Sequence, residues 1–231
     1  MSPIEIIYED EDILVVNKPA GLPMHPNLDK SRENLVDTIK KMRSPDLYLG
    51  IHQRLDLQTS GVVLFSKNTR VNPSLARQFN EHSVKKIYWA LVLSPGHLRQ
   101  REWECNIPLG EPLKRGGAVT WNRPNCKSAC TIFRLIQRQG KLLWLEATLK
   151  SGRKHQIRAH LAAQKMPILG DTLYRGSTAV EIKNQTVNFP RVILHARQLS
   201  LVHPTTGKQL EFIAELPREL EEIWQLCHLT F

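Results

Sequence analysis

His52-Gln53-Arg54-Leu55-Asp56-Leu57-Gln58-Thr59-Ser60-Gly61 is a polar, charged stretch that runs directly into Val62-Val63-Leu64-Phe65-Ser66. The second part reads as a buried strand, being short, apolar and rich in β-branched residues. Thr59, Ser60 and Gly61 are turn formers, and glycine reaches backbone angles closed to other residues. Asp56 is therefore predicted on a tight loop at the mouth of a buried strand, where rigid flanking structure can hold a functional side chain. A carboxylate two residues from an arginine can serve as base or nucleophile. The same pair also reads as a solvated or structural ion pair, and these ten residues alone do not choose between the two.

On the N-terminal side, Ile4 to Tyr8 and Ile13 to Val16 read as two strands broken by the acidic turn Glu9-Asp10-Glu11-Asp12. Asn17-Lys18-Pro19-Ala20-Gly21 ends the second strand in a loop from which Lys18 is expected to project a cation. Leu35, Val36, Ile39 and Met42 recur at helical spacing, with Lys40, Lys41 and Arg43 where cations suit the helix dipole. On the C-terminal side, Leu75, Ala76 and Phe79 mark a short helix, and Ile87 to Val92 a strand. Residues 95 to 130 are punctuated by Pro95-Gly96, Pro108, Pro112, Gly116-Gly117 and Pro124. Lys114, Arg115, Arg123 and Lys127 make that region basic. It reads equally as a phosphate-touching loop or hairpin and as a solvated loop. Strands follow at Ala129 to Leu135 and Leu142 to Leu149, with a turn at Gly140 between them. Gly152 breaks the second of these, and a helix begins around Ile157 and Leu161. Val192 to Leu194, Leu199 to Val202 and Leu210 to Ala214 are further strands. A last helix places Leu220, Ile223, Trp224 and Cys227 on a core-facing side. Strands outnumber helices and often follow one another directly, which predicts an α+β fold with a mixed sheet and helices at its edges. No βαβ series or glycine fingerprint supports a dinucleotide fold.

The chain has 231 residues, 41% hydrophobic and 23% charged, an ordinary soluble composition, and its length fits one sizeable domain or two small lobes, a single domain over residues 1–231 being the expectation. Its net charge of +10 points to a polyanionic partner, nucleic acid being the commonest. The four cysteines, Cys105, Cys126, Cys130 and Cys227, are too few for a disulfide framework and lack a second ligand pair for structural zinc, so reduced thiols are expected. No signal-peptide pattern opens the chain and no apolar run approaches the ~20 residues of a membrane span, so a cytoplasmic protein without membrane contact is expected. The sequon Asn184-Gln185-Thr186 carries no meaning in that compartment.

Arg54-Leu55-Asp56 followed by Thr59-Ser60-Gly61 resembles the signature of the RluA-type pseudouridine synthases. Other stretches resemble that family in the same order. Asn17-Lys18-Pro19-Ala20-Gly21 follows a strand as in the family's opening, and Lys85-Lys86-Ile87-Tyr88 is similar to its Lys-x-Tyr strand. Gly152-Arg153-Lys154-His155-Gln156-Ile157-Arg158 is similar to its Gly-Arg-x-His-Gln-hydrophobic-Arg segment, with Gly170-Asp171, Tyr174 and Leu194-His195-Ala196 downstream. One departure stands out. The family has His immediately before the Arg, whereas here Gln53 holds that place and His52 stands one earlier. No role is carried over to either.

The resemblance implies a pseudouridine synthase fold, a largely antiparallel bent sheet flanked by helices and loops around a central catalytic cleft. It implies an isomerase that converts specific uridines of structured RNA to pseudouridine, with no cofactor or metal. Asp56 matches the catalytic aspartate, Arg158 its arginine partner and Tyr88 the tyrosine that stacks on the base. Arg54 matches an arginine associated with the flipped-out state. Ile157 would wall the base, and Lys18, Lys85, Lys86, Arg153 and Lys154 would meet phosphates. Taken singly, Tyr88 also reads as a core tyrosine, Ile157 as helix packing and the lysines as solvating charge. His155 and Gln156 are expected to order their loop. The first strand begins too early to leave room for an S4-type RNA-binding domain, which fits a monomeric member acting on tRNA or on a stem-loop of 23S rRNA. Two other readings compete: a non-catalytic RNA-binding or remodelling protein, and a hydrolase using Asp56 as nucleophile.

Overall fold

A computed structural model describes residues 4–26, 33–94, 96, 100–112, 116–121, 123–182 and 185–228. Pro95, Lys114, Arg115, Asn184 and the side chain of Cys227 lie outside the described residues. In chain order the elements are β1 (Glu5–Glu9), β2 (Ile13–Lys18), α1 (Leu35–Met42), β3 (Gly50–Ile51), β4 (Ser60–Ser66), α2 (Asn72–Asn80), β5 (Lys85–Leu93), β6 (Glu102–Cys105), β7 (Leu109–Pro112) and β8 (Val119–Trp121). Then come β9 (Thr131–Gln139), β10 (Leu142–Leu149), α3 (Gln156–Ala163), β11 (Ala179–Ile182), β12 (Gln185–Asn188), β13 (Leu194–Val202), β14 (Gln209–Ile213) and α4 (Arg218–His228). The chain divides into two compact units, Met1–Lys86 with His195–Pro217, and Ile87–Leu194 with Arg218–Phe231.

In the first unit β2 pairs antiparallel with both β1 and β4, β3 lies on β4, and β13 joins β4 in parallel and β14 antiparallel. Every residue of β4 is buried. Such a strand shows a continuous apolar run rather than alternation, the pattern of Val62 to Phe65. Its first turn is set by Gly61, at φ +119°. A β-carbon there would come within 2.2 Å of the Ala196 carbonyl oxygen on β13. Gly61→Ala therefore combines a backbone penalty with a clash between two paired strands, and should cost at least about 3 kcal/mol of stability. A chemical-denaturation midpoint equal to that of the unchanged protein would refute this account. The helix α1 starts at Asn34, whose side chain accepts from Asp37 N at 3.1 Å, and ends on Lys40 and Lys41.

In the second unit β5, β10, β9 and β6 form an antiparallel sheet in that order. Its register aligns Tyr88, Ala147, Phe133 and Trp103 across one face. The helix α3 covers this face: Gln164 accepts from Trp103 Nε1 at 2.7 Å, and Gln156 donates to Thr131 Oγ1 at 2.9 Å. The opposite face carries Trp89 and Trp144, against which Trp224 of α4 packs at 4.9 and 5.2 Å between ring centroids.

The architecture is α+β, with a mixed, largely antiparallel set of strands, as the order of elements predicted. The unreadable region 95–130 holds β6 and the hairpin of β7 with β8. Val192 to Leu194 and Leu199 to Val202 are not two strands, because β13 runs unbroken from Leu194 to Val202. Among the described residues Cys105, Cys126 and Cys130 are free thiols. No helix among the described residues is long and apolar enough to cross a membrane.

Candidate active site

Asp56 opens a tight turn, with Thr59 N donating to its carbonyl at 3.1 Å. Leu55 before it is buried, Asp56 half-buried and Arg54 exposed, so the turn anchors on one apolar side chain and carries its charges outward. The β3 ladder stops at Ile51, opposite Phe65. Side chains continue the attachment to β4: His52 meets Ser66 Oγ at 3.1 Å, and Gln53 donates to the Val62 carbonyl at 3.2 Å. Burial holds the His52 imidazole below its ordinary pKa. Beyond the turn, Ser60 Oγ meets Nδ1 of the wholly buried His195 at 3.0 Å, while His195 Nε2 lies 3.0 Å from the Ala214 carbonyl. With Nε2–H donating to that carbonyl, Nδ1 accepts from the serine hydroxyl.

Lys18 differs from expectation. It is completely buried rather than projecting from its loop. Its ammonium donates to the carbonyls of Pro19 and Leu22 at 2.9 Å each and of Leu57 at 3.4 Å. Leu57 also receives Gly21 N at 2.8 Å, so the Lys18 loop and the Asp56 turn are tied together. Burial of a lysine requires such partners, and these three are backbone carbonyls. Lys86 departs in the same direction. It is 9% exposed, with Nζ 5.9 Å from the centre of the Phe79 ring, and burial lowers its pKa. Its neighbour Lys85 is the exposed member of the pair.

In the second unit Tyr88 is 9% exposed on the sheet face that α3 covers. The residues of α3 come off a loop whose last residue, His155, sits in the left-handed region at φ 52°. Gln156 orders this loop. Its oxygen accepts from Ser151 Oγ at 2.8 Å and Arg153 N at 2.9 Å, and its amide donates to the Cys130 carbonyl and Thr131 Oγ1 at 2.9 Å each. Arg153 itself is exposed, donating from Nε to the Ser128 carbonyl at 3.1 Å, and Lys154 is exposed beside it. Ile157 is buried at 4% exposure.

Arg158 is buried and forms a two-point ion pair with Asp171, Nε to Oδ2 at 2.7 Å and Nη2 to Oδ1 at 2.9 Å. Its guanidinium carbon lies 5.2 Å from the centre of the Tyr174 ring. The sequence reading gave Asp171 no role. The available signal was an acid directly after the apolar run Ile168-Leu169 and a turn glycine, a place where an unpaired carboxylate would be costly. Tyr88 and Arg158 thus belong to one unit, and Asp56, Arg54, Lys18 and Lys86 to the other.

Residues 12–163 match the RNA pseudouridylate synthase family model. The chain belongs to this family. An uncharacterised RNA pseudouridine synthase of Synechocystis is 33% identical, over 96% of this chain and 68% of that relative. The ribosomal large subunit pseudouridine synthase D of Zymomonas mobilis is also 33% identical, over 99% of this chain and 74% of that one. The solved structure of human RNA pseudouridylate synthase domain containing 4 superposes with a TM-score of 0.74 at 24% identity. It covers 98% of this chain and 94% of that one, a likeness of fold. As an RNA pseudouridine synthase, the chain is an isomerase that acts on RNA.

Proposed function

We propose that this synthase isomerises a uridine in a structured RNA through Asp56, with Arg158 as partner of its carboxylate and Tyr88 stacked on the base. The observation that carries the reading is the build of the Asp56 turn: a half-buried carboxylate on a loop pinned by Leu55, by Lys18 through Leu57, and by the Thr59 hydrogen bond. A group so held can meet a ribose carbon without reorganising. Asp56 either attacks C1′ or takes a proton from the ribose. In both routes the bond from C1′ to N1 breaks and its electrons pass to the uracil. The base turns and C5 bonds to C1′, displacing the Asp56 carboxylate in the first route and accompanied by return of the ribose proton in the second; the C5 proton is then lost while N1 gains one. All atoms and electrons of the uridine are conserved, so the reaction calls for no oxidant or reductant.

An aromatic face suits Tyr88 to its part, since stacking holds a planar ring while imposing little in-plane direction. Ile157 supplies an apolar wall. The target base has to leave its stack at a cost of a few kcal/mol, and the exposed, planar guanidinium of Arg54 can occupy the vacated place. Arg153, Lys154 and Lys85 contact phosphates, and the buried Lys18 and Lys86 support the fold beneath them.

Several relatives bear the name ribosomal large subunit pseudouridine synthase D, which favours a stem-loop of large-subunit rRNA over tRNA as the target. Mapping pseudouridines in total RNA from cells with and without the gene tests activity and target together. Loss of one or more rRNA sites is expected, and an unchanged map would end the proposal. Binding to a target stem-loop should weaken steeply with salt, by about 0.7–0.9 decades per decade of salt for each phosphate contacted. Affinity independent of salt would remove the exposed arginines and lysines from the interface.

A further inference from the structure

Arg158 is gripped by two residues that the reaction as written does not use. Asp171 is wholly buried and accepts from Nε and Nη2 of the guanidinium, whose carbon stands over the Tyr174 ring, 5.2 Å from its centre. Both belong to one stiff turn. Tyr174 N and Gly176 N donate to the Asp171 carbonyl at 3.1 and 2.8 Å, and Asp171 N donates to the Ile168 carbonyl at 3.1 Å. Packing fixes the turn from outside. A β-carbon at Gly170, φ +76°, would sit 1.8 Å from the Arg191 carbonyl oxygen, and one at Gly176 would sit 1.9 Å from the Ile168 carbonyl oxygen. The Tyr174 hydroxyl is held in turn, accepting from Val119 N at 2.9 Å.

We propose that Asp171 is a positioning residue for pseudouridylation: it holds one edge of the Arg158 guanidinium and so fixes the orientation that its part as partner of the catalytic carboxylate requires. This rests on the role given to Arg158 above. A guanidinium has five donors in a rigid fork. A carboxylate bonded to both Nε and Nη2 fixes the plane of that fork as well as its place, which a single hydrogen bond would not do. Charge compensation alone would be met by any acid within reach. Two-point contact from a packed turn adds orientation, and a displacement of about 1 Å in a catalytic group can lower a rate by about a hundredfold.

The test is a double-mutant cycle read in single-turnover rate at saturating RNA, with RNA affinity measured alongside. Asp171→Asn should lower the rate by about ten- to a hundredfold with affinity kept within about twofold. In an Arg158→Lys background, where the guanidinium edge no longer exists, the same change should alter the rate by less than about twofold. Equal losses in both backgrounds would overturn the proposal, since Asp171 would then serve the fold alone. A normal rate in Asp171→Asn would overturn it as well.

A second arm avoids a lone buried arginine. Ethylguanidinium added to Arg158→Ala should restore activity, and added to Arg158→Ala/Asp171→Asn it should not; rescue of both would sink the idea. If Arg158→Lys alone is fully active, the role of Arg158 fails and this proposal with it. Asp56→Asn, measured in parallel, reports separately on the rest of the site.

Discussion

Asp56→Asn is expected to remove pseudouridine formation, by about 10⁴-fold or more, while leaving the fold and RNA binding in place. Asparagine has nearly the same size and can keep local hydrogen bonds, but it can neither attack C1′ nor accept a ribose proton. Asp56 is half-buried and closes the turn through its backbone carbonyl, which the substitution does not touch. The thermal midpoint should therefore move by no more than about 2–3 °C. RNA affinity should stay within about threefold, because the contacts that release counterions come from arginines and lysines elsewhere. Tritium released from 5-tritiated uridine RNA measures the step directly, since only rejoining through C5 expels that proton. Turnover within tenfold of the unchanged enzyme would exclude Asp56 from the chemistry. A parallel collapse of binding and rate would make Asp56 an RNA-docking residue instead.

The elements around Asp56 were legible because each carries a local signal. The all-apolar run of β4, the turn formers before it and the capped, lysine-ended α1 each show their physics within a few residues of sequence. The region 95–130 was not legible. Its strands are three or four residues long, and β7 pairs with β8 and, at Leu109, with Lys127 across a stretch dense in Pro and Gly. β11 and β12 escaped for a similar reason, being a short hairpin of four-residue strands with no buried residue. At the site, residue types and order identified Asp56, Tyr88 and Arg158 as candidates, but burial was misjudged. A lysine after a strand and before Pro-x-Gly looks like a loop cation. Whether such an ammonium meets water or backbone carbonyls depends on how the loop from Pro19 to Leu22 folds back on it and on the distant Leu57, and residue types alone do not record that. The Arg158–Asp171 pair was hidden likewise, since thirteen residues and a turn separate its members.

Lys18→Met should be damaging although Lys18 stands outside the reacting groups. Methionine is about as long and apolar, so it fills the space but cannot donate. The carbonyls of Pro19 and Leu22 then lose the ammonium as partner, while that of Leu57 loses it but keeps Gly21 N. Each buried acceptor left unpaired costs about 1–3 kcal/mol. Part of that is offset, because a charge no longer has to be desolvated in the folded state. A net loss of about 2–4 kcal/mol follows, visible in a denaturant midpoint. The rate should fall as well, since the link through Leu57 braces the turn that carries Asp56. The salt dependence of RNA binding decides between this role and the phosphate contact that the loop position suggested. A lysine on a phosphate reduces the salt slope by about one when removed. A lysine that ties two loops together leaves the slope unchanged and weakens binding only as far as the site loosens. A stable Lys18→Met enzyme with a shallower slope would return Lys18 to the RNA interface and leave Leu55, the Thr59 hydrogen bond and Gly21 to hold the Asp56 turn.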